Sequence, residues 1–231
     1  VLNYLQQQLG CVLVDGGDNT NSYNYESITN ELKSVKDEYK NFDGPVLRMR
    51  GNHDGCYSYD ENGNLRTNSS GESQYYAYKL PNSEINDLLY SNLPSTAVKH
   101  SSGAYYYDEL NTKTRYLVLN TVDQPDDIND DESNLSGLTN VQTIRQSQID
   151  FLIAALQGLS NYGTEESNWK TIITTHVPSM SFYSDNFKTY DIVNGILGAY
   201  KNHTTYSGTY GSNLFKSAQS ETIISSLFQT V

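Results

Sequence analysis

Gly51, Asn52, His53 and Asp54 follow directly on an apolar run, residues 45–49, that reads as a buried strand. The string sets an amide oxygen, an imidazole and a carboxylate on a tight turn at a strand's carboxyl end. Open α/β sheets hold their ligands at such ends. Gly51 and Gly55 bracket the polar residues, which suits a sharp turn where backbone comes close to an ion or a phosphate. Taken alone, the string also fits an ordinary surface turn.

Two further strand ends repeat the pattern. Upstream, the apolar residues 11–14 run into Asp15, Gly16, Gly17, Asp18 and Asn19, again a glycine turn with carboxylates just beyond a strand. Downstream, the β-branched run 171–175 delivers His176, and Pro178 stops the strand there. Asp18, then Asn52 and His53, then His176 thus stand at three strand ends as metal-competent residues. Oxygen and imidazole donors together suit Mn, Fe, Zn or Mg better than a soft thiolate-bound metal. Each residue also has a plain structural reading: His176 bonded to backbone, Asp18 as a cap, Asn52 and His53 as turn residues. Asp15 and Asn19 are read as shaping their turn.

In this order the three blocks resemble the calcineurin-like metallophosphoesterase family, whose five blocks are Asp-x-His, Gly-Asp, Gly-Asn-His-Asp/Glu, a lone His, and Gly-His-x-His. The middle three are present. The resemblance implies an α/β fold: a two-layered mixed β-sheet sandwich flanked by helices in four α/β/β/α layers, with terminal elements missing. Residues 1–231 are then expected to form a single domain, an internal piece lacking the first strand with Asp-x-His and the last strands with Gly-His-x-His. Residues 2–9 resemble the end of a helix that follows the first block. Ile223, Ile224, Leu227 and Phe228 resemble the helix before the last strand. Tyr105, Tyr106 and Tyr107, then residues 115–123, resemble the family's aromatic hairpin, and Gln148 to Leu152 its Gln-x-x-Trp-Leu helix start, with Phe151 in place of tryptophan.

The resemblance also implies a chemistry. Two divalent ions, Mn, Fe, Zn or Mg, held about 3.5–4 Å apart activate a water and stabilise the entering and leaving oxygens of an in-line displacement at phosphorus. Asp18 matches the bridging carboxylate. Asn52 matches a ligand whose amide oxygen binds metal while its NH2 faces a phosphate oxygen, a combination no carboxylate offers. His176 matches a ligand to the same ion. His53 matches the residue that protonates the leaving oxygen and contacts substrate, since imidazole titrates near neutrality. Asp54 is a candidate catalytic residue, and the partner that orients His53 is either Asp54 or a residue outside this stretch of chain. The Asp and Arg of the phosphoprotein phosphatase branch are replaced by Asn21 and Ser22, which argues against that subtype.

Composition limits the partners. A formal net charge of −12 argues against bulk nucleic-acid binding, which needs clustered Lys and Arg, and leaves a small phosphate ester as the expected substrate. No window is apolar enough to span a bilayer, and no signal peptide is visible, so the compartment is left open. Cys11 is expected as a free core thiol and Cys56 as a free loop thiol. Asn68, Asn134 and Asn202 open glycosylation triplets, which a chain rich in Asn, Ser and Thr also produces by chance. The acidic residues Asp126, Asp127, Asp130, Asp131 and Glu132 read as a solvated loop rather than a calcium loop.

The remaining pattern alternates helices and strands. Ile28, Leu32, Val35 and Tyr39 predict a helix between the first two motif strands, and hence parallel pairing. Ile85, Leu88 and Leu89 predict a short helix within residues 80–93, and Ile149, Leu152, Ile153 and Leu156 another. Residues 57–73 read as a loop, possessing no period; Tyr57 and Tyr59 within it are candidates for packing or for stacking on a substrate. Residues 179–217 are tyrosine-rich with a helical patch at 192–200. The expected function is a dinuclear metal-dependent phosphoric ester hydrolase, with little or no turnover from the chain as it stands. The alternative is a non-catalytic domain that keeps the fold within a larger surface or virus-associated assembly.

Overall fold

The computed structural model describes residues 10–67, 70–124, 126, 144–177, 188–210 and 221–225. The chain is mixed α/β. Among the described residues, four α-helices accompany one four-stranded sheet and four two-stranded sheets.

The predicted strand-helix-strand unit forms. Strands β1 (Leu13–Asp15) and β2 (Val46–Arg48) pair in parallel, Asp15 opposite Arg48, and helix α1 (Tyr25–Tyr39) connects them. Asn24 caps α1 through its side chain, which accepts the Ser27 N–H at 2.9 Å. Ile28 and Leu32, one turn apart, are the buried face of that helix.

Residues 56–79, expected in large part as loop, carry four two-residue strands: β3 (Cys56–Tyr57), β4 (Arg66–Thr67), β5 (Ser73–Gln74) and β6 (Tyr78–Lys79). β3 pairs with β6 and β4 with β5, each too short to show a period in the sequence. Helix α2 (Asn82–Tyr90) follows, burying Ile85, Leu88 and Leu89 as predicted.

The larger sheet has the order β10-β9-β8-β7. Its strands are β7 (Val98–Lys99), β8 (Tyr105–Glu109), β9 (Thr114–Leu119) and β10 (Lys170–Thr175). β7, β8 and β9 run antiparallel in turn, while β10 lies parallel to β9, across a connection containing helix α3 (Gln146–Gln157). Along β9 the side chains alternate, as a strand requires. Val118 joins the core made with α1, β2 and α2, whereas Leu117 and Leu119 join a second core with α3 and with helix α4 (Lys188–Asn202). The sheet is therefore packed on both faces. The Tyr105 hydroxyl ties it to β2 by donating to the Arg48 carbonyl at 2.8 Å.

Three expectations change. Ile223 and Ile224 lie in a strand, β12 (Glu221–Ser225), antiparallel to β11 (Tyr206–Tyr210), rather than in a helix; β-branched pairs fit a pleated strand as readily as a helix turn. The two thiols are free as expected, but Cys11 is half-buried and Cys56 is the fully buried one, its thiol pushed up to about 11 by desolvation. Of the acidic segment, Asp126 is an ion-pair partner: Lys79 Nζ lies 2.6 Å from its carboxylate, which also takes the Asn82 N–H. Residues 2–9, Asn68, Asn134, Leu227, Phe228 and the other acidic residues lie outside the described residues. No helix among the described residues is long and apolar enough to cross a membrane.

Candidate metal centre

The turns after β1 and β2 are built against each other. A β-carbon on Gly17 would stand 2.6 Å from the Gly51 nitrogen, and one on Gly51 would stand 2.1 Å from the Asp18 nitrogen. Only two glycines permit so close an approach. Asp18 itself has φ +57°, a left-handed conformation a carboxylate residue adopts where surroundings hold it.

Asp54 does that holding. Fully buried, its carboxylate accepts the backbone N–H of Gly51 at 2.8 Å, of Asn19 at 2.7 Å and of Asp18 at 3.1 Å. Burial pushes its carboxyl up, partly countered by the Gly51 and Asn19 N–H groups. Expected as the partner that orients the His53 ring, Asp54 is instead committed to the backbone of both turns. Asp15 shapes the first turn as foreseen, accepting from Gly17 N–H, Asn19 Nδ2 and Arg48 Nε at 3.0, 3.0 and 3.1 Å.

His176, directly after β10, reaches into this pair of turns. Its Nδ1–H donates to the Gly16 carbonyl at 2.7 Å, because a carbonyl only accepts. That bond fixes the tautomer and leaves Nε2 as the nitrogen facing Asn52 Oδ1 at 2.9 Å and Asp18 Oδ1 at 3.4 Å. Asp18 Oδ1 also takes the His53 backbone N–H at 3.0 Å. Three of the sequence-predicted residues, Asp18, Asn52 and His176, are thus brought together at strand carboxyl ends. The hydrogen bond with Asp18 raises the His176 imidazole above its ordinary value, against an opposing effect of burial. Burial alone would raise the Asp18 carboxyl; hydrogen bonds from His176 and the His53 N–H outweigh it and leave it below the usual range.

The arrangement has a chemical consequence. A neutral His176 with its proton on Nδ1 points a lone pair at two oxygen acceptors. With Asn52 Oδ1 and Asp18 Oδ1 both facing it, Nε2 stands where a proton, or a cation in its place, would be shared with two oxygens. The donor set is two oxygens and one imidazole nitrogen; no group of three or more His, Cys, Asp or Glu placed to hold a metal occurs among the described residues.

The fourth predicted residue stands beside the trio. His53 presents its ring edge-on to Tyr76, and its Nδ1 is buried with no hydrogen-bond partner among the described residues. Thr20 Oγ1 donates to its carbonyl at 2.9 Å. Tyr57 stacks on Tyr78 of β6 at 5.5 Å and meets Tyr25 of α1 edge-on, so it serves packing between these elements.

Sequence pattern missed the support beneath the site. Arg48, in a run read as apolar, is 1 % exposed and pairs with Asp15; Nη1 reaches the Leu88 and Leu89 carbonyls near the end of α2. Arg50, equally buried, donates to Asn82 Oδ1 at 3.0 Å. Tyr23 and Tyr76 were missed as well, because nothing in their spacing tells that they meet. Compared with known proteins, the chain matches no protein-family model and no curated protein.

Proposed function

We propose that this chain carries part of the centre of a dinuclear metal-dependent phosphoesterase with the calcineurin-like fold, acting on a phosphomonoester or phosphodiester. The observation that supports it is the trio of Asp18 Oδ1, Asn52 Oδ1 and His176 Nε2, separated by 2.9 Å and 3.4 Å from the imidazole nitrogen, whose tautomer the Gly16 carbonyl fixes. The spacing suits a small divalent ion. Octahedral ligands about 2.0–2.1 Å from such an ion lie about 2.9–3.0 Å from their neighbours.

Asp18, Asn52 and His176 would hold one ion, and the Asp18 carboxylate is the group able to serve a second. Divalent ions bound there supply an activated water and neutralise charge on phosphoryl oxygens. The chain's own groups do the rest. Asn52 directs its oxygen at His176, and its amide also carries N–H groups of the kind that donate to a phosphate oxygen. His53, whose ring stands beside the trio and edge-on to Tyr76, is the proton donor to the leaving oxygen. Asp54 keeps the two turns, and therefore Asp18 and Asn52, in register.

The test is hydrolysis of p-nitrophenyl phosphate and bis(p-nitrophenyl) phosphate by the full-length protein with Mn2+. Asn52→Ala and His176→Ala are expected to lose activity by about 10- to 100-fold or more. Unchanged activity in both variants refutes the assignment. A folded protein inactive on both esters favours the non-catalytic alternative.

A further inference from the structure

Beside the trio, three loops bring three rings into a row that the metal chemistry does not use. Tyr76 stands edge-on to His53, centroids 5.3 Å apart and planes at 86°. Tyr23 lies against Tyr76 at 5.3 Å and 31°, and a hydrogen bond joins the two tyrosines. Tyr23 is 50 % exposed.

The row is built into the backbone. The N–H groups of Ser58 and Tyr59 both donate to the Tyr23 carbonyl, at 2.8 and 2.9 Å, and the Tyr76 N–H donates to Ser58 Oγ at 2.8 Å. Tyr76 is held at φ +53°, a conformation that costs a bulky residue strain and persists only where the surroundings impose it. Tyr23 and Tyr76 thus belong to different loops, each pinned to residues 58 and 59 directly after β3.

We infer that Tyr23 and Tyr76 form a stacking shelf for a flat ring carried by the leaving group, and that the substrate is a nucleoside phosphate. The inference rests on the phosphoesterase reading, in which His53 hands its proton to the leaving oxygen: Tyr76 is the ring beside His53 and Tyr23 the next one beyond it, so a leaving group that meets His53 has the two tyrosines at hand. A tyrosine face accepts any nucleobase by stacking, with no sequence-specific hydrogen bonds needed. The net charge of −12 disfavours a nucleic-acid polymer while leaving a mononucleotide, whose few charges sit on the phosphate.

Adenosine 5′-monophosphate and ribose 5-phosphate share the phosphate and the leaving oxygen and differ only in the base. Calorimetric binding of each to the full-length protein with Mn2+ isolates the shelf. The nucleotide should bind about 5- to 150-fold more tightly. Tyr23→Ala should bring it to the level of ribose 5-phosphate without changing the latter, and Tyr23→Phe should keep the preference. Equal affinity of the two esters in the unmodified protein, or a preference that survives Tyr23→Ala, overturns the shelf. Turnover is scored separately: hydrolysis of neither ester alongside a base preference lost in Tyr23→Ala upholds the shelf and counts against the phosphoesterase reading alone.

Discussion

The buried carboxylate of Asp54 accepts the backbone N–H of Asn19 at 2.7 Å, binding the turn after β2 to the turn after β1 across 35 positions of sequence. The same carboxylate closes its own turn through the Gly51 N–H. Asp54→Asn keeps the shape but replaces one acceptor oxygen by a donor that faces N–H groups. Urea unfolding should show a loss of about 1–3 kcal/mol, and Mn2+ affinity should fall about 10- to 100-fold, as expected when a residue that positions a ligand is altered.

Gly51→Ala tests the close approach of the turns. Its β-carbon would stand 2.1 Å from the Asp18 nitrogen and 2.2 Å from Asp18 Oδ1, with neighbouring backbone unable to yield. Mn2+ binding should be abolished and the thermal midpoint lowered. Gly16→Ala is the matched control: its β-carbon meets nothing within 4 Å, and the carbonyl that holds His176 is retained. That variant should lie within about 0.5 kcal/mol of the unmodified protein.

Without metal, His176 makes stability depend on pH. Its folded-state value is raised above 6.5 by Asp18, so the folded protein binds the proton more tightly than the unfolded chain does. The resulting stabilisation is complete below pH 6.5 and is lost as pH rises through the raised value. Urea midpoints measured in EDTA should therefore fall over that window in the unmodified protein, and this component should be missing from His176→Ala. Divalent-ion affinity should move the other way, rising with pH as the competing proton leaves.

Arg48 and Asp15 form a pair whose side chains are 1 % and 7 % exposed. Removing one partner strands the other charge in the interior. Asp15→Ala should cost about 3–5 kcal/mol by chemical denaturation, a loss expected to exceed that from removing the exposed pair of Lys40 and Asp37.

Much of the site's framework is legible in the sequence because it depends on local order. An apolar run that ends in a glycine turn marks a strand end, and the turns carrying Asp18, Asn52 and His53, together with the strand before His176, emerge where the runs predict. The helix over Ile28 and Leu32 follows from its period, and so does the parallel pairing of β1 with β2. What stays hidden depends on pairs that no short window contains. Asp54 looks like a catalytic neighbour of His53 until its bonds to Asn19 and Asp18 are seen, and Arg48 looks out of place in a strand until Asp15 is found opposite it. The strands at Cys56, Arg66, Ser73 and Tyr78 are two residues long, so alternation has no room to show. Ile223 and Ile224 fit helix and strand alike, and pairing with β11 decides between them.

Asp18, Asn52 and His176 meet at the Nε2 edge of the imidazole, where a divalent ion would take the place of a proton. Calorimetric titration of Mn2+ into the metal-free protein, repeated in buffers of different ionisation enthalpy, measures both affinity and proton release. Saturable binding that releases protons is expected, with greater release at a pH where His176 is still protonated, and affinity about 10- to 100-fold weaker in Asn52→Ala and His176→Ala. Binding of unchanged affinity in both variants, or no saturable binding in the unmodified protein, would contradict it.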